Sequence, residues 1–191
     1  MSTKQKIHQH SGTLSPEYAL LGFLISEPSH GYDLHQRFTS ELGNVWHLSQ
    51  SQAYAILKRL ENRGDISTRL VEQDKLPARQ MLRITAAGRR HFMDWLENGY
   101  GRNARSIRLE FLTRLYFSNL YTPENTARIY AAQSTEIANN IQRLEDLLTH
   151  LSPEQIYNRL SLDLRLRQMK LLQEWMSEIK IQFNISSEEI S

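Results

Sequence analysis

Two spacings of apolar residues alternate along this chain, and the change from one to the other marks out its parts. Leu20, Leu21, Phe23 and Leu24 crowd a short segment that follows Ser15-Pro16-Glu17 and stops before Pro28. That segment is apolar nearly all round, which predicts a buried helix. A second helix is expected from His30-Gly31 to about Leu42-Gly43, with Leu34 and Phe38 facing inward at i, i+4. The third, Ser49 to Arg63, has two unlike faces. Ala53, Ile56, Leu57 and Leu60 fall at i, i+3, i+4, i+7, and the opposite side carries Ser51, Ala55, Lys58 and Asn62, flanked by Tyr54 and Arg59. Ser49 with Gln52 three residues on spells a capping box, and Gly64 supplies a left-handed stop. The period then shortens: Ile66 to Val71 and Arg79 to Ile84 are strand-like around the polar loop Glu72 to Ala78, which predicts a β-hairpin. Thr85 caps a fourth helix, Ala86 to Leu96.

The back half is helical throughout. Ser106 to Leu120 bears Leu109, Leu112, Leu115, Tyr116 and Phe117. From Pro123 to Leu151, the residues Tyr130, Ser134, Ile137, Ile141, Leu144, Leu148 and Leu151 advance in steps of four and three, a heptad seam for pairing with another helix. In Pro153 to Phe183 the apolar residues cover well over half the circumference, whereas a surface helix needs a stripe of only about 100°. The surplus predicts a homodimer built on Leu164, Leu171, Leu172, Trp175 and Ile179. Ser15-Pro16-Glu17, Thr122-Pro123-Glu124 and Ser152-Pro153-Glu154 are three helix starts written alike, a capping hydroxyl and then proline in the first turn. The expected fold is mostly α with a small β-hairpin wing. A winged helix-turn-helix over 13–98 and a linker over 99–105 lead to a helical dimerisation domain over 106–185, with tails at 1–12 and 186–191.

Charge sharpens this division. The chain has 191 residues and a net charge of +2, but Met1 to Arg105 holds fourteen Lys and Arg against ten Asp and Glu, and Ser106 to Ser191 nine against eleven. A basic front and an acidic back suit a nucleic-acid module joined to something else. With no cysteine, disulfides and thiol chemistry are excluded, and a reducing, cytoplasmic setting fits. No apolar run is long enough to span a membrane and no signal-peptide pattern opens the chain.

Candidate chemistry points to binding rather than catalysis. A short helix stapled by its apolar side, with hydrogen-bonding and cationic groups outward, suits a DNA major groove. Ser51, Gln52 and Tyr54 stand at its front, where base edges are reached; Gln52 has two candidate tasks, adenine readout and capping. Lys58 and Arg59, with Lys75 and Arg79 of the wing, are expected on phosphates. A homodimer would set two such helices about one helical turn (~34 Å) apart on a near-palindromic site. No Gly-rich phosphate loop, HExxH or nucleophile elbow is present. His30 and Asp33 lie close in sequence with no nucleophile beside them, and the paired His8 and His10 lack further ligands, so neither a catalytic site nor a metal or other cofactor is expected. Trp46 and Tyr116 are candidates to line a pocket for a small aromatic effector.

Tyr18-Ala-Leu-Leu-Gly22, His30-Gly-Tyr-Asp-Leu34, the run Ser51 to Gly64, and Ile84-Thr-Ala-Ala-Gly88-Arg89 occur in that order. Together they resemble the PadR family of bacterial transcriptional regulators over about Leu14 to Leu96. The rest of the chain is similar in layout to the longer PadR branch, which includes phenolic-acid repressors and virulence activators. The resemblance implies a winged-helix DNA-binding regulator, dimeric through its helical C-terminal half, that represses transcription and leaves its operator on binding a small molecule. The alternatives are an activator with the same DNA contacts and a helical adaptor whose winged-helix half binds protein instead of DNA.

Overall fold

The computed structural model describes residues 14–73 and 76–185, and of 71–73 and 76–79 the backbone alone. Both predicted tails and Lys75 lie outside the described residues. The chain runs α1 (Glu17–Ser26), β1 (Ser29–His30), α2 (Gly31–Leu42), α3 (Gln50–Asn62), β2 (Ile66–Gln73), β3 (Leu76–Ile84) and α4 (Ala86–Asn98). It continues with α5 (Ala104–Ser106), a π-helical turn over Ile107–Phe111, α6 (Leu112–Tyr121), α7 (Thr126–His150) and α8 (Ile156–Gln182). The first part is a winged helix-turn-helix, and the fold is mostly α with a small antiparallel sheet.

The apolar periodicities predict the inner faces correctly. Leu34, Phe38 and Leu42 of α2 and Ala53, Ile56, Leu57 and Leu60 of α3 are buried against an α1 that is covered from Ala19 to Leu24. Ile66 and Leu82 of the sheet and Phe92, Trp95 and Leu96 of α4 close the same core. That core continues without a break into Ile107, Phe111, Leu115 and Phe117. Phe117 lies so tightly on Gly22 that any Cβ there would strike its ring, so α1 and α6 approach as only a glycine allows. Segment 99–103 is pinned between the halves, because Gly101 exchanges two 2.8 Å hydrogen bonds with the side-chain amide of buried Gln133 on α7.

Three details depart from the expectations, and a fourth decides what they left open. The Ser/Thr-Pro-Glu starts do not cap as spelled. Pro16 itself occupies the cap position of α1, and no side chain bonds there. Pro123–Asn125 winds as a 3-10 turn ahead of α7, and α8 begins only at Ile156. Proline suits the second position of a tight turn as well as the first position of a helix, so the motif marks the corner between packed helices rather than the helix's first residue. The hairpin is longer than the apolar residues suggest, paired as far as Gln73↔Leu76, because ladder hydrogen bonds need no apolar side chain. A third strand, Ser29–His30, pairs antiparallel with Leu82 and Met81; two residues are too few to show a period. Finally, the α7 seam is satisfied within the chain. Tyr130, Ile137, Ile141 and Leu144 are buried where α8 folds back with Met169, Met176 and Ile179.

Candidate nucleic-acid interface

The end of β1, the start of α2, the outer face of α3 and the inner side of the wing enclose an open groove of about 550 Å³. Its walls include His30, Tyr32, Asp33, Tyr54, Lys58 and Gln80. Helix α3 is held rigidly beside it. At its front the Ser49 hydroxyl accepts from Gln52 N at 3.3 Å while Gln52 Oε1 accepts from Ser49 N at 2.9 Å, so the predicted capping box is formed. At its back Gly64 adopts φ +80°, and Asp65 N–H returns to Leu60 O at 2.9 Å. Asp65 is fully buried. Its carboxylate accepts from Arg63 Nε and, at 2.6 Å, from His91 Nδ1, while Arg63 reaches on to Glu17. Burial lowers the Arg63 pKa, and its bonds to Asp65 and Glu17 more than offset that. Helix α3 is thereby tied to α1 and α4. No periodicity in the sequence flags Asp65 for this task.

Ser51, Gln52, Lys58 and Arg59 are all exposed, and Lys58 lines the groove. Tyr54 is 46% exposed, and its ring lies against Gly31, where a Cβ would come within 2.8 Å of the ring edge. Gln52's carbonyl oxygen is engaged in the cap, and bidentate readout of adenine needs that oxygen as well as the amide nitrogen. Base reading through both atoms would therefore open the cap. Lys58 Nζ donates to Glu61 Oε2 at 2.8 Å, whereas Arg59 has no ion pair among the described residues. Hydrogen bonds from Lys58 and Thr68 hold the Glu61 carboxyl below the usual carboxylate range. The backbone of Arg79 sits opposite Val71 on the wing; Lys75 falls outside the described residues.

Tyr32 belongs in this site, although the sequence reading passed over it. It is exposed, takes a 2.7 Å bond from Gln36 Nε2 on its hydroxyl, and faces the groove because Leu34 and Phe38 turn the other way. His30 lines the groove too, its Nδ1 within 3.0 Å of Gln80 O, which makes it a brace between α2 and the wing.

The remaining candidates stand elsewhere. Trp46 is buried and its indole N–H donates to Thr113 Oγ1 at 2.8 Å, joining the loop before α3 to α6. Tyr116 is half-buried on the same seam, 5.9 Å from Phe23 and 4.9 Å from Phe117 between ring centroids. On α8, Leu164 is 57% and Leu171 66% exposed, Leu172 and Trp175 are partly covered by the chain's own core, and Ile179 at 4% is inside it. Among the described residues no acidic or histidine cluster could hold a metal, and no helix is long and apolar enough to cross a membrane.

Residues 20–94 match the family model described as the Transcriptional regulator PadR-like family. Residues 20–94 thus carry a PadR-like domain. The matched model describes a family of transcriptional regulators. The chain is 29% identical to the negative transcriptional regulator PadR of Bacillus subtilis over 117 residues, 61% of this chain and 64% of that protein. A probable transcriptional regulator of Mycobacterium tuberculosis is 29% identical over 79 residues, 41% of this chain and 42% of its own length. The matched part thus spans under two thirds of either curated relative. Among solved structures, Bacillus subtilis PadR with operator DNA aligns over 87% of this chain and 96% of its own, at 24% identity and a TM-score of 0.44. The Vibrio cholerae virulence activator AphA aligns over 89% and 98%, at 21% identity and a TM-score of 0.40.

Proposed function

We propose that this protein is a sequence-specific DNA-binding regulator of transcription, working as a homodimeric repressor that a small-molecule effector releases from a near-palindromic operator. The observation that carries the DNA-binding reading is the division of α3. Every apolar residue of its inner face is committed to the core, while Ser51, Tyr54, Lys58 and Arg59 stay exposed, Tyr54 and Lys58 of them lining the groove that the wing borders. A helix locked at both ends and polar on one open side fits a major groove, and the wing then reaches the neighbouring backbone. Arg59, Lys58, Lys75 and Arg79 hold phosphates; Ser51 and Tyr54 reach base edges. Gln52 keeps the cap.

Two copies are needed because one short helix reads too few base pairs. The second copy docks on the outer side of α8, where Tyr157, Leu160, Leu164 and Leu171 form an exposed apolar stripe at i, i+3, i+7 and i+14. Repression, rather than activation, is supported by the printed role of the Bacillus subtilis relative. An effector acts at the seam where Trp46 meets α6 near Tyr116. The test is footprinting on the DNA upstream of the protein's own gene across a salt series. Two protected half-sites about one helical turn apart are expected, with log affinity falling about 0.9 per phosphate contact. Salt-independent binding, or none, overturns the DNA reading in favour of a protein-binding adaptor.

A further inference from the structure

Asp65 stands between α3 and β2, and every polar atom it owns is engaged. Its amide N–H closes the end of α3 on Leu60 O at 2.9 Å. Its carbonyl oxygen accepts from Thr85 N at 2.9 Å and from Thr85 Oγ1 at 3.1 Å, in the cap of α4. The first turn of α4 comes so near that a Cβ on Gly88 would strike that oxygen. The carboxylate is wholly out of solvent. One of its oxygens takes Arg63 Nε, just past the end of α3, and Arg63 Nη1 and Nη2 both donate onward to Glu17 Oε1 of α1 at 3.3 Å. The other takes His91 Nδ1 of α4 at 2.6 Å. Among the described residues that wall the groove, none belongs to this cluster.

We infer that Asp65 and His91 are positioning residues for sequence discrimination: without touching DNA, they set the angle at which α3 offers Ser51 and Tyr54 to base edges. A buried carboxylate is tolerated only while its donors stay in place. Here the donors come from the end of α3 and from α4, and Arg63 is itself held by α1, so any tilt of α3 must break a charge-assisted bond. Phosphate contacts tolerate a small tilt, because attraction between charges has no preferred direction. Hydrogen bonds to base edges do not, because they weaken steeply off their axis. A loosened cluster therefore costs discrimination and spares non-specific affinity. The inference deepens the DNA-binding reading above and rests on it for its consequence, not for the hold on α3.

The test falls on His91, whose side chain is 54% exposed, so its replacement leaves the core untouched, whereas Asp65 lies too deep to be replaced without risk to the fold. The full chain is titrated with two duplexes of equal length, the DNA upstream of the protein's own gene and a scrambled copy of it. His91→Ala removes a donor and should lower the ratio of the two affinities by about tenfold, with affinity for the scrambled duplex and its salt slope unchanged. His91→Gln, whose amide can donate to the same oxygen, should restore most of the ratio. A role in stability alone would lower both affinities by one factor, since it changes only the folded fraction. An equal fall on both duplexes, an unchanged ratio in His91→Ala, or no recovery in His91→Gln overturns the inference. Amide exchange without DNA separates it from the reading it rests on. In His91→Ala the Arg63 and Asp65 amides, bonded to Arg59 O and Leu60 O, should exchange about tenfold faster while the interior of α1 keeps its rate. If the unaltered chain prefers neither duplex, the proposed function falls and the discrimination claim with it, while faster exchange still upholds the cluster as what positions α3. Unchanged exchange overturns that hold as well.

Discussion

Helices α3 and α8 are both amphipathic and both spend one face on the core, yet they differ in what they leave outside. Around α3 the exposed residues are Ser51, Tyr54, Lys58 and Arg59; around α8 they include Tyr157, Leu160, Leu164 and Leu171. The inner faces are interchangeable in kind, and they determine only that each helix packs. The outer faces carry the proposed function, one suited to a charged, hydrogen-bonding surface and the other to a dry protein contact. The ends differ as well. Helix α3 is closed by a capping box and by a left-handed Gly64, whereas α8 follows Gln155 with no side-chain cap. A reading element has to hold its angle to within a groove; a docking element can take its alignment from its partner.

The largest effect expected from breaking this contrast comes from α8. Leu164→Glu combined with Leu171→Glu should leave the fold intact, shift sedimentation from dimer to monomer, and weaken operator binding by about 10²–10⁴-fold as two linked contacts become one. An intact dimer would move the interface off this stripe. By contrast, Ile179→Ala should cost about 2–5 kcal/mol of folding stability whether or not a dimer forms, because Ile179 is buried within one chain. Thermal melts at several protein concentrations distinguish the two, since only a dimer-linked loss depends on concentration.

Next in size is the cap. Ser49→Ala removes an acceptor for Gln52 N and should cost about 1 kcal/mol, lowering the melting temperature by about 2–4 °C in a chain of this length. An unchanged melt would mean that the front of α3 is held from elsewhere. Because Gln52 Oε1 completes the same box, Gln52→Glu keeps an acceptor in place and should lose little stability, while any adenine preference disappears.

The limits of the sequence follow the same line. Inner faces are legible because burial imposes a period, and Ala53, Ile56, Leu57 and Leu60 are buried as spaced. The capping box was legible for a related reason, since a fixed offset between Ser49 and Gln52 is a local signal. On α8, period alone could not divide an all-round apolar helix, so Ile179 and Leu171 carried equal weight as contact residues until the fold placed one inside and the other outside. Asp65 and Tyr32 carry no periodic signal at all. Asp65 becomes important only because α3, α1 and α4 converge on it.

The smallest effect separates two neighbours on α3. Lys58 and Arg59 are equally exposed cations in sequence terms, but Lys58 is paired with Glu61 and Arg59 has no ion pair among the described residues. Arg59→Ala should therefore reduce the salt slope of DNA binding by about one unit, uniformly across sequences, and Lys58→Ala by less, because DNA must first draw Lys58 from its carboxylate. Glu61→Gln should remove that competitor and bring Lys58 up to a full phosphate contact, measured as a steeper slope. The pH dependence has a definite sign. The folded Glu61 carboxyl is held below its ordinary range, first by its bond from Lys58, so the pairing is complete above that range and is lost only as pH falls through the lowered value. Between pH 6 and 8, a span about a neutral working point, the difference between Lys58→Ala and Arg59→Ala should consequently stay constant. Equal slopes for the two variants, or a difference that closes within that window, would show that the Lys58–Glu61 pair does not persist on DNA and that both cations grip phosphate alike.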